Sequence, residues 1–429
     1  MMDQETLVSL TTQASRRSFL FGTAPLLVPS SVFGWYAPSN RVTIGMIGMG
    51  RQAMSVNWKQ FEKMRDVAVV AVCDVDAWRL EQAARAVPGS KPYRDFRELL
   101  ADKSIDGVMI SAPDHWHVPI SMEAVKAGKD VSCEKPLTRC IAEGRQLADF
   151  VKKHERVFRT DTEYRTKPHY HQAREAVING RIGKLVTIRT GVPKGDVGCP
   201  PQPDMPVPPE LDYERWQGNA PRAPYTEARV HKPHDIFSRG GWMRHLYYCD
   251  GMITNWGAHL NDIAQSGNGT DRTGPVEVEG KGTYPPSDSF WNVLLDSEVH
   301  YKYANGVQLI YKTEKPYVWF EGTDGWIHAD DTGKIEASSP AVLAPPSGSD
   351  WKKLERKIDK QDFIDAVKSR GETMCDAEVG HRTTSLCHLG HIAIQLGRKL
   401  RWDPVKEVFP GDEEANRYIG QPIHQPRRA

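Results

Sequence analysis

Val42-Thr43-Ile44-Gly45-Met46-Ile47-Gly48-Met49-Gly50-Arg51-Gln52-Ala53 is an apolar run that ends in a G-x-G-x-x-A turn. Gly48 permits a tight turn after a strand, Gly50 lets the backbone approach a diphosphate, and Ala53 lets the following helix pack closely on that strand. That helix, predicted to run to Phe61, would present unpaired N–H groups to an anion. The pattern alone arises often by chance. Here a second apolar strand, Val67 to Cys73, follows it and ends at Asp74, about 26 positions beyond Gly48. A carboxylate there accepts hydrogen bonds from a ribose 2′-hydroxyl and repels a 2′-phosphate, which favours NAD over NADP. The alternative for Asp74 is a plain helix N-cap, a role that Asp76 could fill instead.

Outward from this stretch, strands are predicted at Gly107 to Ser111 and Asp130 to Cys133, with helices before and after. Such alternation argues for a parallel sheet covered on both faces, a Rossmann domain over residues 38–160. From Asp161 the pattern changes. A helix at His169 to Asn179 and a strand at Lys184 to Thr190 precede a Pro- and Gly-rich excursion from Val192 to Pro224. Strand-like alternation at Val276 to Gly282, Phe290 to Tyr303 and Gly306 to Thr313 predicts a large, mainly antiparallel sheet. Helices at Gln361 to Ser369 and Ala377 to Leu396 are expected to pack back. The fold class is therefore α/β, with residues 161–429 as a second domain, which the family resemblance given below implies is for substrate binding and oligomerisation.

Composition excludes some functions. In 429 residues, 56 Lys and Arg nearly balance 55 Asp and Glu, so a basic nucleic-acid footprint is not expected. The seven cysteines are scattered, odd in number and without CxxC spacing, which does not indicate a disulfide framework. Ser15-Arg16-Arg17-Ser18-Phe19-Leu20 resembles a twin-arginine export signal, with the apolar run Phe19 to Val28 as its core. Residues 1–37 are then a signal and linker. The expected location is periplasmic or exported, after folding in the cytoplasm, with the export machinery as a partner. His115/His117, His169/His171, His231/His234 and His388/His391 lack carboxylate or Cys partners at zinc-site spacing, so no metal is expected.

Further motifs carry a more specific likeness. Ala112-Pro113-Asp114-His115-Trp116-His117, Ala127-Gly128-Lys129 and Glu134-Lys135-Pro136 follow the glycine fingerprint in that order. Near the end stand Glu378-Val379-Gly380-His381-Arg382, His388-Leu389-Gly390-His391 and Leu396-Gly397-Arg398-Lys399-Leu400. Together these resemble the Gfo/Idh/MocA oxidoreductases, the family of glucose–fructose oxidoreductase and inositol dehydrogenase, over nearly the whole chain after Arg41. The resemblance implies a Rossmann domain followed by an α/β domain whose open sheet serves oligomer formation, here a homodimer or homotetramer. It also implies that Lys135 points at the reacting carbon and the nicotinamide, and that Pro113, His117 and Glu134 stand near the cofactor with Gly48, Met49, Gly50, Arg51, Gln52 and Asp74.

Gly251 to Asp262 holds the second constellation. If helical, it puts Asn255 and His259 one turn apart, with Asp262 three further on. The family pattern is Asp-x-x-x-His, with His as proton acceptor. Asn255 departs from it, and an amide cannot hold an imidazolium by charge, so His259 is expected to be less basic than in relatives carrying Asp. Asp262 is either a substrate contact or a support. Tyr164, Arg165, Lys194, Arg239 and Trp242 resemble family substrate contacts more loosely; Arg and Trp suit a sugar, the first by its planar donors and the second by its apolar face. The resemblance thus implies hydride transfer between a sugar, polyol or glycoside hydroxyl and a tightly held NAD. The rivals are an NAD-dependent glycosidase acting through transient oxidation and a non-catalytic, cofactor-bearing sugar-binding protein.

Overall fold

The run that opened the sequence is β1 (Val42–Ile47), and its residues are almost all buried because helices cover both faces of the sheet it joins. The computed structural model describes residues 40–345 and 351–427. The twin-arginine stretch lies outside them. β1 pairs in parallel with β2 (Val67–Cys73) and β4 (Gly107–Ile110). β3 (Lys91–Tyr93), β5 (Asp130–Glu134) and β6 (Phe158–Asp161) complete a six-stranded parallel sheet in the order β3-β2-β1-β4-β5-β6. The order reverses between β1 and β4, which opens a crevice at the strands' carboxyl ends.

The second sheet has eight strands. β7 (Leu185–Val192) lies between β10 (Gln308–Thr313), its one parallel neighbour, and β11 (Tyr317–Gly322). Antiparallel pairing adds β9 (Asp296–Lys302), β8 (Glu277–Thr283) and β14 (Leu400–Arg401) beyond β10, and β12 (Trp326–Asp330) and β13 (Ile335–Ala337) beyond β11. Burial alternates along β9, as it must when one face meets helices and the other does not. Val299, Tyr301, Leu309, Tyr311, Val318 and Phe320 point inward onto the helices Gly257–Gly267 and Ala377–Leu396.

The structure is therefore α/β, a parallel Rossmann sheet followed by a mainly antiparallel one, as the sequence predicts. Three details differ. The strand expected from Phe290 begins only at Asp296, because Asn292 and Val293 donate their N–H groups to the Arg244 carbonyl instead of to a neighbouring strand. β11, β12 and β13 extend the sheet beyond the predicted strands. The helix after the glycine turn opens with a π-helical turn, Ala53–Asn57, before Trp58–Phe61.

The chain's last third closes the first sheet. In the helix Asp359–Ser369, Phe363, Ile364 and Ala366 join Ile44, Met46, Trp58 and Phe61 in one buried cluster. Beside it Arg159 of β6 is enclosed by Asp161, Asp359 and Asp362, with Lys360 on Asp161. Such buried charges persist because they are paired. Phe363→Ala should lower unfolding free energy by about 3–5 kcal/mol, read from urea denaturation, since the wall it fills cannot collapse around the loss.

Candidate active site

β1 delivers the chain to Gly48, whose φ of +83° suits glycine. A Cβ there would stand 2.6 Å from the Ala112 nitrogen, and one on Gly50 would stand 3.1 Å from Arg79 Nη1. The turn is thus pressed against the end of β4 while leaving bare backbone at the crevice, which fits a diphosphate. Met49 is buried; what it supplies is its N–H, donated to the Asp74 carboxylate at 2.7 Å. The other Asp74 oxygen accepts the Asp76 N–H at 2.9 Å. Burial pushes the Asp74 carboxyl up, with Arg79 opposing. The helix Ala77–Ala86 is capped by Asp76, which accepts the Arg79 N–H at 3.1 Å. Asp74 is not that cap, and it lines the cavity with Gly48, Gly50, Arg51 and Gln52.

The cavity has a volume of about 1100 Å³ and also takes in Pro113, His117 and Glu134. His117 places one ring nitrogen 2.7 Å from the Pro136 carbonyl and the other 2.9 Å from the Ala112 carbonyl. It therefore ties the ends of β4 and β5 together. Glu134 accepts from Asn57 Nδ2 at 3.0 Å. Lys135, next along, crosses the cavity: its Nζ donates to the Asn255 main-chain carbonyl at 3.1 Å.

The predicted helical face from Asn255 to Asp262 is interrupted. One helix is Met252–Asn255 and the next Gly257–Gly267, with a break at Trp256. Asn255 and His259 still line the same cavity as Lys135. His259 stacks on Tyr164, ring centroids 4.2 Å apart and 20° between planes. Its Nδ1 is buried and has no hydrogen-bond partner among the described residues. Burial, then the Lys135 and Lys167 cations, hold its pKa well below the ordinary histidine value. Burial and the two cations thus favour the neutral imidazole.

Asp262 and Arg165 are corrections. Asp262 is fully buried and accepts from Arg165 Nε and Nη2, both at 2.6 Å, and from the Thr383 hydroxyl at 3.1 Å. Arg165 also reaches Asp271 at 2.6 Å and the Met374 carbonyl at 2.9 Å. Neither lines the cavity. The pair's fork geometry satisfies both charges inside the protein, so neither has a group to offer a substrate. Lys194 is also corrected: its side chain is exposed to solvent and outside the cavity lining. Arg239 and Trp242 do line it.

Around His259 the lining also includes Glu163, Lys167, Trp256 and Asp331, which the sequence did not single out. Asp331 arrives on the hairpin between β12 and β13, accepts from the Tyr164 hydroxyl, and pairs with Lys167 at 3.0 Å. Lys167 Nζ sits 3.5 Å from the Tyr164 ring centroid. Glu163, Lys167 and Trp256 stand within three residues of Tyr164 or Asn255 in sequence, whereas Asp331 is far from every predicted site residue. Among the described residues, no group of three or more His, Cys, Asp or Glu side chains could hold a metal ion.

The neutral His259 sets an expectation for pH. The acid limb of kcat/KM should fall below the usual histidine range. Lys167→Met should move it upward, because removing a cation raises the pKa of the imidazole beside it. A pH–rate series on both proteins checks the direction.

Two family models match the chain. An oxidoreductase-family NAD-binding Rossmann fold covers residues 42–162, and an oxidoreductase-family C-terminal alpha/beta domain covers residues 195–429. Myo-inositol 2-dehydrogenase of Thermotoga maritima is 30% identical over 41% of this chain and 49% of its own length. A glycosyl hydrolase family 109 protein of Shewanella is 32% identical over 30% of each. The chain therefore spans about half, or less, of the length of these curated relatives. Among solved structures, the aldose-aldose oxidoreductase of Caulobacter crescentus, complexed with glycerol, superposes with TM-score 0.63 at 16% identity over 84% of this chain and 99% of its own. GenD2 from gentamicin A biosynthesis, in complex with NAD, does so with 0.64 at 18% identity over 85% and 97%. The second-domain model alone spans more than half of the chain and the Rossmann model lies on the glycine turn and β1–β6, so this protein belongs to the Gfo/Idh/MocA oxidoreductase family, with an NAD-binding N-terminal domain.

Proposed function

We propose that this chain transfers a hydride between a carbinol carbon of a sugar, polyol or glycoside and a tightly held NAD. The observation that carries the reading is that Lys135 and His259 line one cavity with the glycine turn. NAD, when bound, supplies the carbon that accepts the hydride. Neutral His259, which lines the cavity, accepts the hydroxyl proton. Lys135 is anchored by the Asn255 carbonyl and donates to the oxygen as negative charge develops on it. Tyr164 stacks on the imidazole and is fixed in turn by Asp331, which keeps the acceptor oriented. Trp242, Trp256 and Asn255 offer the apolar face and amide group that suit a carbohydrate.

The cavity favours a second reading as well, glycoside cleavage through transient oxidation. Glu163 lines it, and its carboxyl has no hydrogen-bond or ion-pair partner among the described residues. Burial, then Glu134 and Asp359, raise its pKa, so a further proton-handling group is available. The likeness to a family 109 glycosyl hydrolase supports this reading over part of the chain. A non-catalytic sugar-binding role is less well supported, because Lys135 and His259 are both in place.

The twin-arginine stretch, residues 15–20, supports export in the folded, cofactor-loaded state, and we place the protein in the periplasm or beyond. The outer face of the second sheet carries half-buried Tyr317, Trp319 and Trp326, the two tryptophans stacked at 4.5 Å, and suits a contact between copies in a homodimer or homotetramer.

Lys135→Ala should lower turnover about 10²- to 10³-fold while far-UV circular dichroism stays unchanged. The check is nicotinamide absorbance on mixing with a panel of sugars, polyols and glycosides. A folded Lys135→Ala protein with full activity would sink the reading.

A further inference from the structure

Between β7 and the helix Met252–Asn255 the chain makes a long excursion, residues 193–251, with only a short helix, Tyr213–Gln217, and a 3-10 turn, Gly241–Arg244. It has its own small core of Leu211, Trp216, Tyr225, Val230 and Tyr248, with Val75 from the end of β2 packed against it. Such a core gives the segment a shape of its own rather than that of a loose connection.

The excursion meets the Rossmann sheet at two points that flank the cavity. At the end of β2, the Asp212 N–H donates to the Val75 carbonyl at 3.1 Å, and the Ala77 N–H to the Glu210 carbonyl at 2.9 Å. The Asp76 carboxylate holds His231 Nε2 at 3.0 Å, with both side chains more than nine-tenths buried. Past the end of β4, the Trp216 carbonyl accepts the Trp116 indole N–H at 2.9 Å and stands 3.0 Å from His115 Nε2. Gly218, at φ +53°, passes so close to the Trp116 ring that a Cβ there would overlap it.

Between these fastenings the cavity is bounded by Val75, Phe96 and Trp116 on the sheet side and by Trp216, Gly218 and Arg222 on the excursion side. In this strand order the end of β2 faces the ribose of a bound dinucleotide. The enclosed space is therefore the adenosine half of the NAD site. We propose that residues 210–240 form the outer wall of that half, so that the dinucleotide enters or leaves only when this segment lifts from Val75, Asp76 and Trp116.

Arg239 carries the same wall on toward the diphosphate. It lines the cavity with Gly48, Gly50 and Arg51. Its carboxylate neighbour, Asp196 at 3.6 Å, is bound more closely by Arg244, at 2.5 Å. Burial, with Arg244 and Arg51 nearby, lowers its pKa, the condition of a guanidinium short of anions. A diphosphate supplies that anion and suits the planar fork. The sequence reading assigned Arg239 to a substrate; the wall assigns it to the cofactor.

This inference deepens the reading of the dinucleotide site and does not depend on which carbinol reacts. Full-length protein loaded with NADH is mixed with excess NAD, and release is followed by nicotinamide fluorescence, with no substrate present. His231→Leu and Arg239→Met should each release NADH about tenfold faster or more, the effect of losing one charged hydrogen bond. Val197→Ser, at an exposed position of the excursion outside the cavity lining, should release at the parental rate. If His231→Leu fails to fold by circular dichroism, Arg239→Met alone decides. Parental release rates in the folded variants would overturn the wall. An absence of any substrate reaction would instead remove the hydride-transfer reading and leave the release rates as they are.

Discussion

The hydrogen bond from Lys135 Nζ to the Asn255 carbonyl ties the residue that follows β5 to the segment that leads into the His259 helix. Three short-range constraints put the lysine there: β5 ends at Glu134, Lys135 follows directly, and His117 grips the next carbonyl, that of Pro136. On the other side Asn255 ends one short helix just before the helix that carries His259. The same interaction therefore sets where the ammonium sits and how far it stands from the imidazole. With the lysine elsewhere, the cavity would still bind a dinucleotide but would lack a donor at the developing alkoxide.

Around this bond the protein uses burial to choose protonation states. His259 is enclosed, stacked on Tyr164, and faces two lysines, so the neutral form is favoured without a carboxylate beside it. Lys167 spends part of its charge on Asp331, and Asp331 in turn holds the Tyr164 hydroxyl. A proton acceptor, its stacking partner and a cation thus share one small network. Asp262, which helical spacing alone would add to that network, serves the interior by neutralising Arg165.

The first sheet and the glycine turn were legible because their signals are local: apolar strands, glycines and a carboxylate at fixed offsets. Lys135 and His259 could be carried over from a family resemblance because each sits in a short recognisable motif. For Asp262, spacing along a helix could not choose between substrate contact and support, because it says nothing of an arginine 97 residues away, nor of the break at Trp256. Asp331 could not be foreseen, since it reaches the cavity only when the tip of a β-hairpin folds over Tyr164. The depth of the excursion's contacts was hidden for the same reason. Its Pro- and Gly-rich composition reads as a loop, while its fastenings at Asp76 and Trp116 come from residues far off in the chain.

The central claim is that a carbinol hydride passes to a nicotinamide held beside Lys135 and His259. Sugars, polyols and glycosides deuterated at their carbinol carbons, followed by mass spectrometry of the recovered cofactor, test it most directly. Deuterium in the nicotinamide ring after incubation with the parental protein, entering far more slowly with Lys135→Ala, is the expected result. Conversion of a deuterated substrate with no deuterium ever entering the cofactor would contradict the account.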